Sequence, residues 1–118
     1  VKVVINKCFG GFGLSNEAYE WLISKGVPVY DYVQYQERNG RFVYKSDKDF
    51  KLFANYWDNY FAYNRADPLL VEVVQTLKKA ASSSCAELVI IEVPNDVDWE
   101  IAEYDGMEHI AEKHRTWG

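Results

Sequence analysis

W-E-I-A-E-Y-D-G-M-E-H-I-A-E (residues 99–112) decides what kind of fold the chain can make. Asp105-Gly106 tolerates positive φ at both central positions of a two-residue loop, which predicts that W-E-I-A-E-Y folds back on the run that begins at Met107. Met107, Ile110, Ala111 and His114 also fit helical spacing, so a helix from Met107 stands as the alternative. The hairpin is the preferred reading, and it sets Glu103 directly opposite Glu108. Like charges in that position destabilise a ladder unless a basic partner, a metal ion or solvent compensates.

Working towards the N-terminus, E-L-V-I-I-E-V-P (87–94) reads as a strand covered on both faces and closed by Pro94. S-S-S-C-A is a connector. Asp67-Pro68 supplies an N-cap and a preset first turn for a helix whose stripe is Leu70, Val73, Val74, Leu77 and Ala81, with Lys78 and Lys79 near its negative end. Seven of the fourteen residues from Phe50 to Tyr63 are aromatic. At helical spacing they fill an arc of about 160°, with Lys51, Asn55, Asp58 and Asn59 opposite. Asn39-Gly40 predicts a first hairpin in which Tyr35 faces Tyr44 and Glu37 faces Phe42. That hairpin buries one face only. Residues 1–8 read as a strand, and F-G-G-F-G-L-S then leads into a helix capped by Ser15 or Asn16, with Ala18, Trp21, Leu22 and Lys25 on one side, Tyr19 and Ile23 beside them, and Gly26 as its stop. The fold class is α+β: one domain spanning 1–118, with a mixed or mainly antiparallel sheet and two to three helices on one face.

Composition narrows the function. The chain has 118 residues, 48% of them hydrophobic, and a net charge of −5. No apolar run approaches the ~20 residues that cross a bilayer, and no basic-then-apolar leader precedes the first strand, so a cytoplasmic protein without membrane attachment is expected. The acidic balance argues against nucleic acid as a partner. Cys8 and Cys85 lie far apart without metal-ligand spacing, which predicts two reduced, buried thiols and no metal site. No cofactor is implied.

Three features can carry function. The glycine loop, with Phe9, Gly10, Gly11, Gly13 and Ser15, points backbone N–H groups towards a helix start and suits a phosphate or nucleotide, with Arg115 or Lys7 as counter-charge. It lacks the Lys-Ser/Thr of a P-loop and the spacing of a dinucleotide fingerprint, and a tight crossover that tucks Phe9 and Phe12 into the core is the simpler explanation. The second feature is local charge. Residues 86–112 hold nine carboxylates and no Lys or Arg, whereas residues 1–85 hold eleven basic and nine acidic groups. Glu100, Glu103, Asp105, Glu108 and Glu112 therefore form a candidate surface for a host protein. The third is aromatic: among nineteen Trp, Tyr and Phe residues, some must reach the surface, and Tyr56, Tyr60 and Tyr63 offer a partner or homodimer face. His109 and His114 point to opposite sides of a strand and cannot serve one centre, and no nucleophile–base pair can be assembled, so no catalytic residue is assigned.

N-K-C-F-G-G-F-G-L-S-N-E-A-Y (6–19), R-A-D-P-L-L-V-E-V-V (65–74) and E-Y-D-G-M-E-H-I-A-E-K-H-R-T-W (103–117) resemble a group of small uncharacterised proteins encoded by bacteriophages and by prophages in bacterial genomes. The matching blocks cover about a third of the chain, and the stretch from Pro28 to Asn64 lies outside them. The resemblance implies a viral or prophage origin and a bacterial cytoplasm; it names no catalytic residue. The expected function is a non-enzymatic accessory protein that binds a host protein through the acidic hairpin. A small-ligand protein using residues 9–15 is the alternative.

Overall fold

Val3, Val4 and Ile5 are apolar without a break, so a strand made of them must be covered on both sides. The computed structural model describes residues 1–29, 33–38 and 41–113, in the order β1 (Lys2–Asn6), α1 (Asn16–Ser24), β2 (Tyr35–Arg38), β3 (Arg41–Tyr44), α2 (Asp47–Ala62), α3 (Pro68–Leu77), β4 (Leu88–Glu92), β5 (Trp99–Tyr104) and β6 (Met107–Glu112). β1 pairs antiparallel with β4, Val4 opposite Ile90. Side chains alternate across this ribbon, so Val4, Leu88 and Ile90 meet the helices while Val3, Ile5, Val89 and Ile91 face the β5–β6 hairpin. The ribbon thus divides two apolar clusters, a larger one with the helices and a smaller one with Val97, Trp99, Ile101 and Ile110.

Each helix starts where a short polar side chain meets an unpaired amide. Ser15 Oγ accepts from Ala18 N–H at 3.2 Å, Ser46 Oγ from Asp49 N–H at 3.2 Å, and Asp67 Oδ1 from Leu69 N–H at 2.9 Å with Pro68 at the first helical position. Their buried stripes are Ala18, Tyr19, Leu22 and Ile23; Phe53, Ala54, Trp57 and Phe61; and Leu70, Val71, Val73 and Val74. α3 stops at Leu77 because Lys78 takes a φ of 55°, and a 3₁₀ turn, Lys78–Ala81, carries the buried Ala81. The helix predicted to run on to Ala81 is therefore one turn shorter.

The α+β class holds, but among the described residues the strands form three two-stranded antiparallel ladders, β1–β4, β2–β3 and β5–β6, rather than one sheet. A third strand cannot add at the far edge of β1, because Val4 N–H donates there to the Arg65 carbonyl at 2.9 Å and Asn6 N–H to Glu108 Oε1 at 2.7 Å. β2–β3 has the expected register, Tyr35 opposite Tyr44 and Glu37 opposite Phe42. β2 is exposed along its whole length. The Asn39-Gly40 turn itself lies outside the described residues.

Met107–Glu112 is a strand, which excludes the helix alternative. Asp105 and Gly106 take φ values of 51° and 88°, the two left-handed positions of a type I′ loop, and Glu103 pairs with Glu108 as expected. Gly106 is required twice over, since a Cβ there would lie 2.5 Å from the Phe9 carbonyl oxygen. The hairpin tip is therefore seated on the glycine loop.

Candidate functional site

The compensation that the Glu103–Glu108 pair needs comes from inside the protein. Arg65, in the turn between α2 and α3, donates from Nη1 to Glu108 Oε1 at 2.6 Å and from Nη2 to Oε2 at 2.7 Å. Arg65 is 8% exposed and Glu108 7%. A two-point, charge-assisted contact of this kind fixes orientation as well as distance. The guanidinium also reaches the Val4 carbonyl at 3.3 Å and the Ala62 carbonyl at 3.1 Å, and lies 4.0 Å from the centroid of the Phe12 ring. Asn6 completes the cluster: its Nδ2 donates to the carbonyls of Cys8 (2.6 Å) and Gly106 (2.8 Å), and its Oδ1 accepts from the amides of Cys8 (3.2 Å) and Glu87 (2.8 Å). Both amide donors and both acceptor positions of Asn6 are used, as a buried polar network demands.

Glu108 consequently leaves the set of residues offered to a partner. Its carboxylate is consumed by Arg65 and by the Asn6 amide, and its side chain is interior. Glu103 stays exposed on the same face of the ladder and accepts from the Gly106 amide at 2.8 Å, so each carboxylate has its own donor. Glu100, Asp105 and Glu112 are exposed and form no ion pair among the described residues. Glu92, Asp96 and Asp98 are exposed as well, and Tyr104 at the hairpin tip is 73% exposed. His109 is exposed opposite Ala102; His114 lies outside the described residues. The aromatic helix does present its tyrosines outward: Tyr56, Tyr60 and Tyr63 are 41%, 39% and 89% exposed, while Phe53, Trp57 and Phe61 fill the core. The Tyr60 hydroxyl donates to Asp67 Oδ2 at 3.2 Å, and that carboxylate raises its pKa.

The glycine loop is occupied by the chain itself. A Cβ on Gly10 would lie 2.0 Å from the Cys85 carbonyl oxygen, and one on Gly13 would lie 2.9 Å from Ser83 Oγ. Gly11 faces open space, and its φ of +91° accounts for it. Ser15 is the cap of α1 and its hydroxyl donates to the Ala80 carbonyl. Phe12 is half-buried beneath the Arg65 guanidinium, but Phe9 is 60% exposed rather than tucked into the core. Lys7 is exposed, and Arg115 lies outside the described residues. The thiols also differ from expectation: Cys8 is half-buried and Cys85 exposed, because the connector 82–86 runs along the surface against the glycine loop.

Asp58 belongs to a site that sequence reading places on the polar side of α2. It follows Ala54 and precedes Phe61 on one helical stripe, which carries it to the boundary of the core, where it accepts from the Tyr19 hydroxyl and from the Leu14 amide at 3.4 Å. Both groups line a cleft of about 450 Å³ with Ser15, Phe50, Ser82 and Ser83. Burial raises the Asp58 pKa above its ordinary 3.8, against the lowering effect of its two donors. Burial, and then the Asp58 charge, hold the Tyr19 hydroxyl protonated well beyond the usual phenol range.

Among the described residues, no three His, Cys, Asp or Glu side chains group to hold a metal ion. No helix among them is long and apolar enough to cross a membrane. Comparison with protein-family models, with curated proteins and with solved structures gave no match.

Proposed function

We propose that the chain is a phage or prophage accessory protein that acts by binding a host protein of basic surface through the β5–β6 hairpin, rather than by catalysis. The supporting observation is that Glu100, Asp105 and Glu112 stand exposed, without cationic partners among the described residues, on a hairpin pinned by Arg65 and Glu108. Charge of one sign along a hairpin, with the exposed Tyr104 at its tip, steers and seats a complementary surface. Glu103 and Tyr104 complete this surface, and Tyr56 and Tyr60 on α2 are a secondary aromatic element. The phage origin rests on the resemblance of residues 6–19, 65–74 and 103–117. Contacts within the chain account for Gly10, Gly13 and Gly106, so the geometry favours the hairpin over a phosphate or nucleotide ligand at residues 9–15.

The test is affinity capture from a bacterial lysate with the wild-type chain and with a Glu100→Lys, Asp105→Lys, Glu112→Lys variant, folding being checked by circular dichroism. A host protein retained by the wild type, lost by the folded variant and released progressively by salt is the expected result. Equal retention by both chains rejects the hairpin as the binding surface.

A further inference from the structure

The open edge of β4 is unused by the hairpin surface. In the β1–β4 ladder Lys7 N–H bonds the Glu87 carbonyl at 2.8 Å and Val93 N–H the Val1 carbonyl at 2.7 Å. The antiparallel pattern therefore turns the N–H and C=O groups of Leu88, Ile90 and Glu92 away from β1. On that side Ser82 Oγ accepts from Leu88 N–H at 2.9 Å, and no other described residue pairs with the backbone of Ile90. A groove of about 750 Å³ runs beside this edge, lined by Val74, Gln75, Lys78, Lys79, Leu88 and Ile90. Its floor is apolar, and at its rim stand two exposed lysines and one exposed carboxylate, Glu87, which leaves the rim net cationic. An unpaired strand edge over an apolar groove is a template for strand addition.

We propose that a second copy of this chain occupies the edge, its β4 antiparallel to the first about a twofold axis at Ile90. In that register the two Ile90 residues exchange both of their backbone hydrogen bonds. The second copy's Glu92 N–H donates to the Leu88 carbonyl, and the Ser82 bond to Leu88 N–H stays intact. Leu88 and Ile90 both face the helices, so the second copy's Ile90 enters the groove beside Val74 and its Glu92 lies over Leu88 beside Lys78 and Lys79. The charges match: β4 carries the acid its own groove calls for, and the symmetry makes the match twice. Any strand can pair with the edge, but a foreign one would have to bring an apolar residue and an acid two positions apart, and β4 itself carries both, in Ile90 and Glu92. Arg65 and Glu108 close the outer edge of β1, so the assembly stops at a four-stranded dimer rather than extending into a fibre.

Sedimentation velocity over a concentration series tests this. The wild type is expected to sediment as a dimer at micromolar concentration. Glu92→Lys and Lys79→Glu, both at exposed positions, are each expected to weaken self-association by about tenfold or more, and the two together to restore it. Hydrogen exchange at the Ile90 amide should slow as dimer accumulates. A monomeric wild type, or a dimer indifferent to both single reversals, overturns the proposal. Because no residue of the hairpin surface is altered, host-protein binding can fail while this dimer stands, and the reverse.

Discussion

Removing the carboxylate of Glu108 isolates a charge in the interior. In Glu108→Ala the Arg65 guanidinium, 8% exposed, keeps its contacts to the Val4 and Ala62 carbonyls but loses both strong bonds, and the Asn6 backbone N–H loses the acceptor it has among the described residues. Breaking a buried pair from one side costs about 3–5 kcal/mol, and a single orphaned buried amide costs about 1–3 kcal/mol. The two penalties share one cavity that water can partly enter, so the expected loss is about 4 kcal/mol rather than their sum. Against a total stability of about 5–15 kcal/mol this is a large fraction. The assay is urea unfolding followed by tryptophan fluorescence. With a slope of about 2 kcal/mol/M, the midpoint should fall by about 2 M with the slope unchanged. Arg65→Met should cost a comparable amount, and Arg65→Met with Glu108→Leu much less than the sum of the two single changes. A loss below about 1 kcal/mol in Glu108→Ala, the value of an exposed pair, refutes the reasoning.

Two further outcomes follow from the same geometry. Gly106→Ala sets a side chain at a φ of +88° and 2.5 Å from the Phe9 carbonyl oxygen, so thermal unfolding should show a loss of about 1–3 kcal/mol; an unchanged melting temperature means that the hairpin tip is not seated on the glycine loop. Asp58 has a raised pKa in the folded chain, so between its ordinary 3.8 and the raised value the folded state holds more protons than the unfolded state. That contribution is fully present below the ordinary value and is lost as pH rises through the raised one. In Asp58→Asn, which keeps an acceptor for Tyr19 and Leu14, stability measured by urea unfolding at a series of pH values should fall less steeply over this window than in the wild type. Parallel curves count against a destabilising carboxylate at this position.

Local chemistry made much of the fold legible. Asp105-Gly106 and Asp67-Pro68 each specify their backbone geometry within two residues, and the apolar spacing of Leu70, Val73 and Val74 specifies a face, so the second hairpin and the start and buried face of α3 stand where they were expected. The Lys78 break was not legible, because a lysine at positive φ is fixed by what surrounds it and carries no signature of its own. Arg65 was hidden for a related reason: it stands 43 residues from Glu108, and nothing near it in sequence is acidic except Asp67. The usable signal was on the other side, in the unresolved repulsion of Glu103 and Glu108. That repulsion called for a basic partner, a metal ion or solvent; Glu103 is left to solvent, while Glu108 is taken by a cation of the same chain, which was not among the three. Asp58 was misplaced because its neighbours Asn55 and Asn59 are exposed and the helical wheel cannot rank a residue on the margin of an aromatic arc.

The clamp also explains how a cluster of carboxylates can be held on so small an element. A two-stranded hairpin is marginal in water on its own, and this one sets Glu103 directly opposite Glu108. Ile101 and Ile110 seat it on Val3 and Ile5, Gly106 docks its tip, and Glu108 ties its second strand to Arg65 and to the edge of β1. The repulsion of Glu103 and Glu108 is thus offset by these contacts, and the exposed carboxylates of Glu100, Asp105 and Glu112 are held on an element ordered before binding. It follows that substitutions of the exposed carboxylates and of the buried pair should separate. Reversal of Glu100 or Glu112 should alter association rate and salt dependence at unchanged stability, whereas loss of Arg65 or Glu108 should lower stability first and weaken binding only as the hairpin frays.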